Sequence, residues 1–184
     1  MTVTEFATLE VLPPHDTHSP AIQDFFRKVA ELQSTASGYR MRFFQNANAP
    51  ATLYILAGWP DATIHQKWIE SEGNNALLAE MQTKVAVKGL VHLEVDFTKI
   101  PSDATRVRVT TYPNEVQSRL KVDGTEPGGP LEWSGVCGSL ESNGTELYYL
   151  QVWTDGKAKE EAFGGAEAGG ATADVHMIRL PYEI

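Results

Sequence analysis

The chain has 184 residues, of which 42% are hydrophobic, and its formal net charge is −9 at pH 7. This length and hydrophobic content suffice for one ordinary domain or two small ones. The acidic balance and the lack of a basic run argue against nucleic-acid binding, which depends on Lys and Arg to neutralise phosphates. The single cysteine, Cys137, excludes an internal disulfide and a cysteine-based zinc site, and we expect it to be a small buried residue.

The first strand pattern begins near the N-terminus. The opening residues, MTVTEFATLEVL, show none of the features of a secretion signal, so we expect a cytoplasmic protein with no membrane partner. Residues 4–12 place apolar side chains at alternate positions, which predicts a strand. Its apolar set is Ala7, Leu9 and Val11.

A helix is predicted directly after this strand. Ser19 is a suitable N-cap, and Pro20 follows it at the first helical position. The helical period then gives one apolar stripe, which consists of Ile22, Phe25, Phe26, Val29 and Leu32. Two strands follow over residues 38–45 and 52–59, joined by an Asn-rich turn.

The next segment completes a first unit. A helix is predicted to begin after Asp61, to be interrupted by the polar residues 71–75 and to resume over residues 76–87. A strand is predicted over residues 90–97. The order is therefore strand, helix, strand, strand, helix, strand.

The second half repeats this order in reduced form. The sequence TLYILAGWPD at 52–61 returns as ELYYLQVWTD at 146–155, so that Trp59 corresponds to Trp153. Strands are predicted over residues 106–113 and 174–180, a hairpin around Asn143 and Gly144, and a helix over residues 155–163. A glycine-rich connection follows this helix.

We interpret the repeat as two tandem ferredoxin-like units of the α+β class, at residues 1–100 and 101–184. A four-stranded sheet with helices on one face leaves its other face uncovered, and two such sheets can cover each other. This predicts an intramolecular pseudo-dimeric α/β barrel. The alternative is one larger α+β sheet in which the similarity of the halves arose by chance.

The segment GWPDATIHQKWIES at 58–71 resembles the dimeric α/β-barrel superfamily, and within it the antibiotic-biosynthesis-monooxygenase-like branch. The residues that carry the resemblance are Trp59, His65, Trp68 and Ser71. The resemblance covers residues 4–97 well and the second half more weakly. Members of the family are usually homodimers of single units, so two units in one chain imply a monomer. Related proteins include cofactor-free oxygenases, polyketide cyclases and haem-degrading enzymes.

The resemblance implies a function without cofactors or metals. Haem-degrading relatives carry an iron-ligating histidine ten residues after the Trp equivalent to Trp68, where this chain has Leu78. The implied activity is that of a cofactor-independent enzyme which acts on an aromatic or polyketide-like small molecule by acid–base chemistry, leading to oxygenation, cyclisation or decarboxylation. The alternative is a non-catalytic small-molecule-binding or stress-response protein on the same scaffold.

The candidate catalytic residue is His65. By helical spacing it shares a face with Ile64, Trp68 and Ile69 and should point toward the sheet, where a histidine can exchange a proton with a ligand. Alternatively it is a packed, hydrogen-bonded histidine. The candidate substrate-binding residues are Trp68, Tyr54, Trp59 and Phe26, although Trp59 also reads as a packing residue because it has a counterpart in the second half.

Other histidines suggest structural roles. By alternation, His92 shares a face with Glu94 and Asp96, and with His176 it is expected in a polar network between the two sheets. His15 and His18 lie in a Pro-rich loop, where a solvated role is favoured over a metal site.

Overall fold

The structure is a computed structural model that describes residues 2–115, 131–141, 144–154 and 170–182. These residues form an α+β fold, as predicted, with eight strands, three α-helices and one 3₁₀ turn at Phe97–Lys99. The elements are β1 Val3–Val11, α1 Pro20–Ser37, β2 Arg42–Asn46, β3 Thr52–Trp59, α2 Ala62–Ile69, α3 Glu72–Met81, β4 Val85–Leu93, β5 Arg106–Pro113, β6 Trp133–Gly138, β7 Glu146–Trp153 and β8 Ala173–Leu180. The predicted helix at 155–163 lies outside the described residues.

The eight strands form one antiparallel sheet in the order β4-β1-β3-β2-β8-β5-β7-β6. The order β4-β1-β3-β2 of the first half recurs as β8-β5-β7-β6 in the second. The halves are hydrogen-bonded edge to edge through β2 and β8, where Phe43 lies opposite Leu180. They are therefore not two separate sheets that meet only face to face.

The two outer strands of this sheet also meet. Leu93 at the end of β4 forms an isolated bridge with Ser139, just after β6. On either side of this bridge, the Glu94 N–H donates to the Gly138 carbonyl (3.0 Å) and the Leu140 N–H donates to the His92 carbonyl (3.0 Å). The sheet thus curves until its first and last strands are linked.

Both faces of the sheet are buried, and the apolar residues of β3 and β7 are divided between them because successive side chains of a strand point to opposite faces. One face packs against the helices and contains Ala7, Leu9 and Val11 of β1 together with Phe25 and Phe26 of α1. The other face holds a second core, with Phe6, Tyr54, Leu56, Leu93, Val107 and Leu150 among its members. Cys137 is buried in this second core, as expected.

Helix α1 begins at Pro20 after Ser19, as predicted, and ends at Ser37; Gly38 follows as the C-cap, and its positive φ of 79° suits glycine. Its apolar stripe differs from the prediction at one end. Leu32 is 38% exposed, whereas its neighbour Gln33 is only 6% exposed. The difference arises because the Gln33 amide donates a hydrogen bond to Glu5 on the sheet.

The helical region after Asp61 differs from the prediction in its boundaries. The polar residues 71–75 begin α3 rather than separating two helical segments, since the Ser71 hydroxyl caps the helix by accepting from the Asn74 N–H (3.1 Å). The helix then ends at Met81, and Val85 already belongs to β4. Among the described residues, no helix has the length and apolar character that crossing a membrane requires.

Candidate functional site

A cavity of about 220 Å³ lies between the three helices and the strands β1, β3 and β4. Its wall is almost entirely aliphatic and aromatic. The polar lining residues are Glu5, Gln33, His65 and Asn74. Since a closed apolar cavity of about 150 Å³ can hold benzene, this cavity has room for a molecule with one ring.

Glu5 projects from β1 toward the helices and is only 4% exposed. Its Oε2 atom accepts hydrogen bonds from Trp59 Nε1 (2.7 Å) and Gln33 Nε2 (2.6 Å). Burial raises the pKa of Glu5 above its usual value, although these two hydrogen bonds counteract the effect. The protonated carboxyl is therefore favoured over a wider pH range than in a solvated glutamate.

Glu5 was not among the residues predicted for the site, although the sequence contains a signal for it. Glu5 precedes Ala7, Leu9 and Val11 in the same alternation and therefore occupies the apolar face of β1. A carboxylate on such a face is costly to bury without partners. An acidic residue in register with an apolar strand face thus indicates a buried polar site.

His65 is positioned by the start of α2. The Asp61 side chain caps this helix by accepting from the Ile64 N–H (2.8 Å), which places His65 in the first turn, beneath the helix. The imidazole is 2% exposed and stacks on the Trp59 indole, with ring centroids 4.3 Å apart. His65 therefore faces the sheet, as the helical spacing predicts.

The two nitrogens of His65 have different neighbours. Nδ1 lies 2.6 Å from Nε2 of His92, whereas Nε2 lies 3.5 Å from Oε2 of Glu5. Burial, reinforced by the nearby His92, lowers the pKa of His65 to about 3. The ring is therefore neutral at physiological pH.

His92 lies on the helix side of the sheet, because its β4 position is in register with Glu5 on β1. The expected network with Glu94 and Asp96 between the sheets is therefore wrong; Asp96 instead accepts from Thr2 and Thr98. The Nδ1 atom of His92 lies 2.5 Å from Oε1 of Glu141.

His176 belongs to a different cluster in the second half. It lies opposite Arg108 in the β5–β8 pair, and its Nε2 is 3.3 Å from Asp174. Arg108 donates two hydrogen bonds to the same carboxylate, at 2.9 and 2.7 Å. The described contacts thus place the two strand histidines in different clusters.

Of the predicted ligand-binding residues, Phe26 and Trp68 line the cavity. Trp59 is fully buried behind His65 and is not among the lining residues. Tyr54 lies on the opposite sheet face, where it stacks on Phe6 and accepts a hydrogen bond from Asn46 (3.1 Å). The structure therefore brings His65, Trp68 and Phe26 together and separates Tyr54 from them.

No protein-family model matches the chain, and no curated protein matches it in sequence.

The fold is shared with several solved structures. A candidate monooxygenase from Lactobacillus acidophilus has a TM-score of 0.55 at 10% identity, covering 97% of this chain and 93% of that one. A candidate chlorite dismutase has a TM-score of 0.62 at 11% identity, covering 98% and 95%. A DypB variant from Rhodococcus jostii, in complex with heme, has a TM-score of 0.54 at 11% identity, covering 97% and 93%. At these identities the likeness shows the fold alone.

Because one of these structures contains heme, the cavity can be compared with the needs of that group. A haem iron requires an axial ligand atom directed at it, and haem carries two carboxylates. Among the described residues that line the cavity there is no Lys or Arg to pair with these carboxylates, and a volume of about 220 Å³ suits a molecule with one ring rather than a macrocycle. The cavity therefore does not fit a haem. Within the described residues, no three His, Cys, Asp or Glu side chains are grouped as a metal site requires.

Proposed function

We propose that the chain is an acid–base enzyme of a compact, largely apolar small molecule, with Glu5 and His65 as the reacting groups. The observation that carries the proposal is the contact pair itself: a buried carboxyl and a buried neutral imidazole, 3.5 Å apart, in the wall of an otherwise apolar cavity. Active sites tend to place titratable groups in such surroundings, because burial adjusts their proton affinity.

The two groups suit opposite roles. The Nε2 atom of His65 is the ring nitrogen that is not engaged by His92, so it can take a proton from a phenol or an activated carbon as the Nδ1 proton leaves toward His92, which keeps the ring neutral. A protonated Glu5 can donate a proton to a carbonyl oxygen of the same molecule. Together they would convert a ketone to its enol or deprotonate a phenol, with every proton accounted for.

The apolar wall favours an aromatic or polyketide-like substrate. Trp68 and Phe26 offer ring surfaces, and the absence of Lys and Arg among the described lining residues disfavours a strongly acidic ligand. Oxygenation, cyclisation and decarboxylation can all follow a proton transfer. In an oxygenation, molecular oxygen would be the co-substrate and the deprotonated ring its reductant, without flavin or metal. Two of the structures with a similar fold are named as monooxygenases, which supports oxygenation among these reactions.

We also propose that the chain is an internally duplicated form of the single-unit fold, within the monooxygenase-like branch that the sequence resembles. The recurrence of one strand order in both halves supports this proposal. So do Trp59 and Trp153, each of which ends a strand and pairs with the start of another strand, at Val3 and Arg106 respectively.

One observation favours a second function, a non-catalytic binding protein. Glu5, His65 and His92 already contact one another and Trp59, as a purely structural network would. In that case the apolar cavity would bind a small molecule without changing it.

The test is a substrate screen with matched variants. Single-ring phenols and β-keto acids would be incubated with the protein under air and under nitrogen, with and without a chelator, while oxygen uptake, carbon dioxide and product mass are followed. We expect turnover that survives the chelator and falls about 10²-fold in His65→Ala. His18→Ala changes a histidine in an exposed loop and should leave turnover intact. Binding without turnover of any compound would favour the second function.

A further inference from the structure

A line of short contacts leads from the cavity to the protein surface. It begins at Glu5 and continues through His65 and His92, with 2.6 Å between the two imidazoles, to Glu141. The first three side chains are buried, whereas the Glu141 side chain is 41% exposed. A buried acid–base site needs a route for protons, and this line is built from groups that can both accept and release them.

The Glu141 carboxylate is held in place for this contact. Its Oε2 atom accepts from the His92 backbone N–H (2.8 Å) and from the Ser139 hydroxyl (3.3 Å), which leaves Oε1 for the His92 ring. The anchoring follows from the closure of the sheet, since residues 138–140 are bonded to the end of β4. A residue of the second half thus reaches the site of the first half.

With both imidazoles neutral, the contacts define one set of proton positions. Burial tends to raise the pKa of Glu141, but the hydrogen bonds from His92 outweigh it and lower the value, so Glu141 is ionised. The carboxylate accepts, so His92 carries its proton on Nδ1 and accepts on Nε2. His65 then donates from Nδ1, which leaves Nε2 as an acceptor facing Glu5.

We propose that His65, His92 and Glu141 form a proton relay that connects the cavity with solvent. A proton from Glu5, or from a ligand held beside it, bonds to His65 Nε2 as the Nδ1 proton of His65 moves to His92 Nε2. The Nδ1 proton of His92 moves to Glu141, which releases it to water. Passage in the reverse direction restores the starting positions, so one basic and one acidic step leave the relay unchanged.

The purpose of the relay rests on the proposed function, but the test of the relay needs no substrate. In protein labelled with ¹⁵N-histidine, NMR would report the position of each ring proton and the exchange of the His65 Nδ1 proton with water. We expect exchange to slow by about 10²-fold in Glu141→Gln, where the amide oxygen can still accept from the His92 ring but the side chain cannot take up the proton. Glu94→Gln is the matched control, since Glu94 is exposed and lies two residues beyond His92.

Two results would overturn the relay: exchange in Glu141→Gln as fast as in the unaltered protein, or an equal slowing by Glu94→Gln. Added formate should restore exchange in Glu141→Ala by replacing the missing carboxylate. Slow exchange in Glu141→Gln together with no turnover of any substrate would keep the relay and refute the proposed enzyme. Unchanged exchange together with turnover lost in His65→Ala would refute the relay and keep the enzyme.

Discussion

The indole of Trp59 lies almost parallel to the imidazole of His65, at an interplanar angle of 16°. This contact fixes the plane of the histidine ring, so its two nitrogens are directed along the line between Glu5 and His92. The same indole donates its N–H to Glu5. Trp59 therefore orients both candidate acid–base groups without being part of the cavity wall.

Replacing Glu5 with glutamine should change how stability depends on pH. Because the pKa of Glu5 is raised in the folded protein, the folded state binds a proton that the unfolded state has already lost above pH 4.5. Stability is therefore lost as pH rises toward the folded pKa, and Glu5→Gln should remove that loss. Urea unfolding at a series of pH values would show the variant gaining stability relative to the unaltered protein at alkaline pH. Equal pH profiles would show that Glu5 is ionised in both states.

Replacing His65 with glutamine should act on the acidic side. The pKa of His65 falls from 6.5 to about 3 on folding, so between these values the unfolded chain binds a proton that the folded protein does not. Stability is present above pH 6.5 and declines as the pH falls, with a slope of up to about 1.4 kcal/mol per pH unit from this one group. The decline should be shallower in His65→Gln, measured by the same unfolding series. A decline as steep as in the unaltered protein would mean that other groups cause it.

Two adjacent leucines on α3 provide a test of the cavity wall. Leu77 is 3% exposed and Leu78 is 37% exposed, and both line the cavity. Leu77→Ala should cost about 2–5 kcal/mol of unfolding free energy, the range for large-to-small changes in a core, and should enlarge the cavity. Leu78→Ala should cost clearly less, because its side chain is already partly in water. Denaturant midpoints would compare the two variants, and similar losses would contradict the placement of α3.

Much of the first half follows from local signals. The start of α1 follows from Pro20 at its first helical position, and the inward orientation of His65 follows from the Asp61 cap and the helical period; both signals act within a few residues. The side of the sheet to which His92 points could not be predicted from local signals. Both faces of the sheet are buried, and alternation alone does not say which face the helices cover. A register shift between Thr8 and Leu9 also changes which residues of β1 and β4 lie opposite each other.

The contact of Glu141 with His92 could not be predicted from the sequence. This contact spans 49 residues and exists only because the two edges of the sheet are linked. Glu5, by contrast, could have been predicted as a site residue, since the alternation of β1 places it on the apolar face. The distinction is physical: local periodicity reports which residues share a face, whereas contacts between distant strands depend on how the sheet closes.

The oligomeric state remains a prediction of the duplicated barrel. If one chain supplies both units, the surface through which single-unit relatives dimerise is already covered, and the protein should be a monomer. Light scattering across a range of protein concentrations should give a mass near the 20.2 kDa of one chain. A dimer that persists on dilution would contradict the prediction.

The link between Leu93 and Ser139 is needed for proton exchange in the proposed relay but not for the cavity wall. Among the residues that the structure describes, those lining the cavity lie between positions 5 and 90, so the described part of the binding wall belongs to the first half. Glu141, the solvent end of the proposed relay, contacts His92 only when the chain just after β6 pairs with the end of β4. A molecule with an unjoined edge would therefore hold a ligand but exchange protons slowly, so completed assembly would be a condition for turnover rather than for binding.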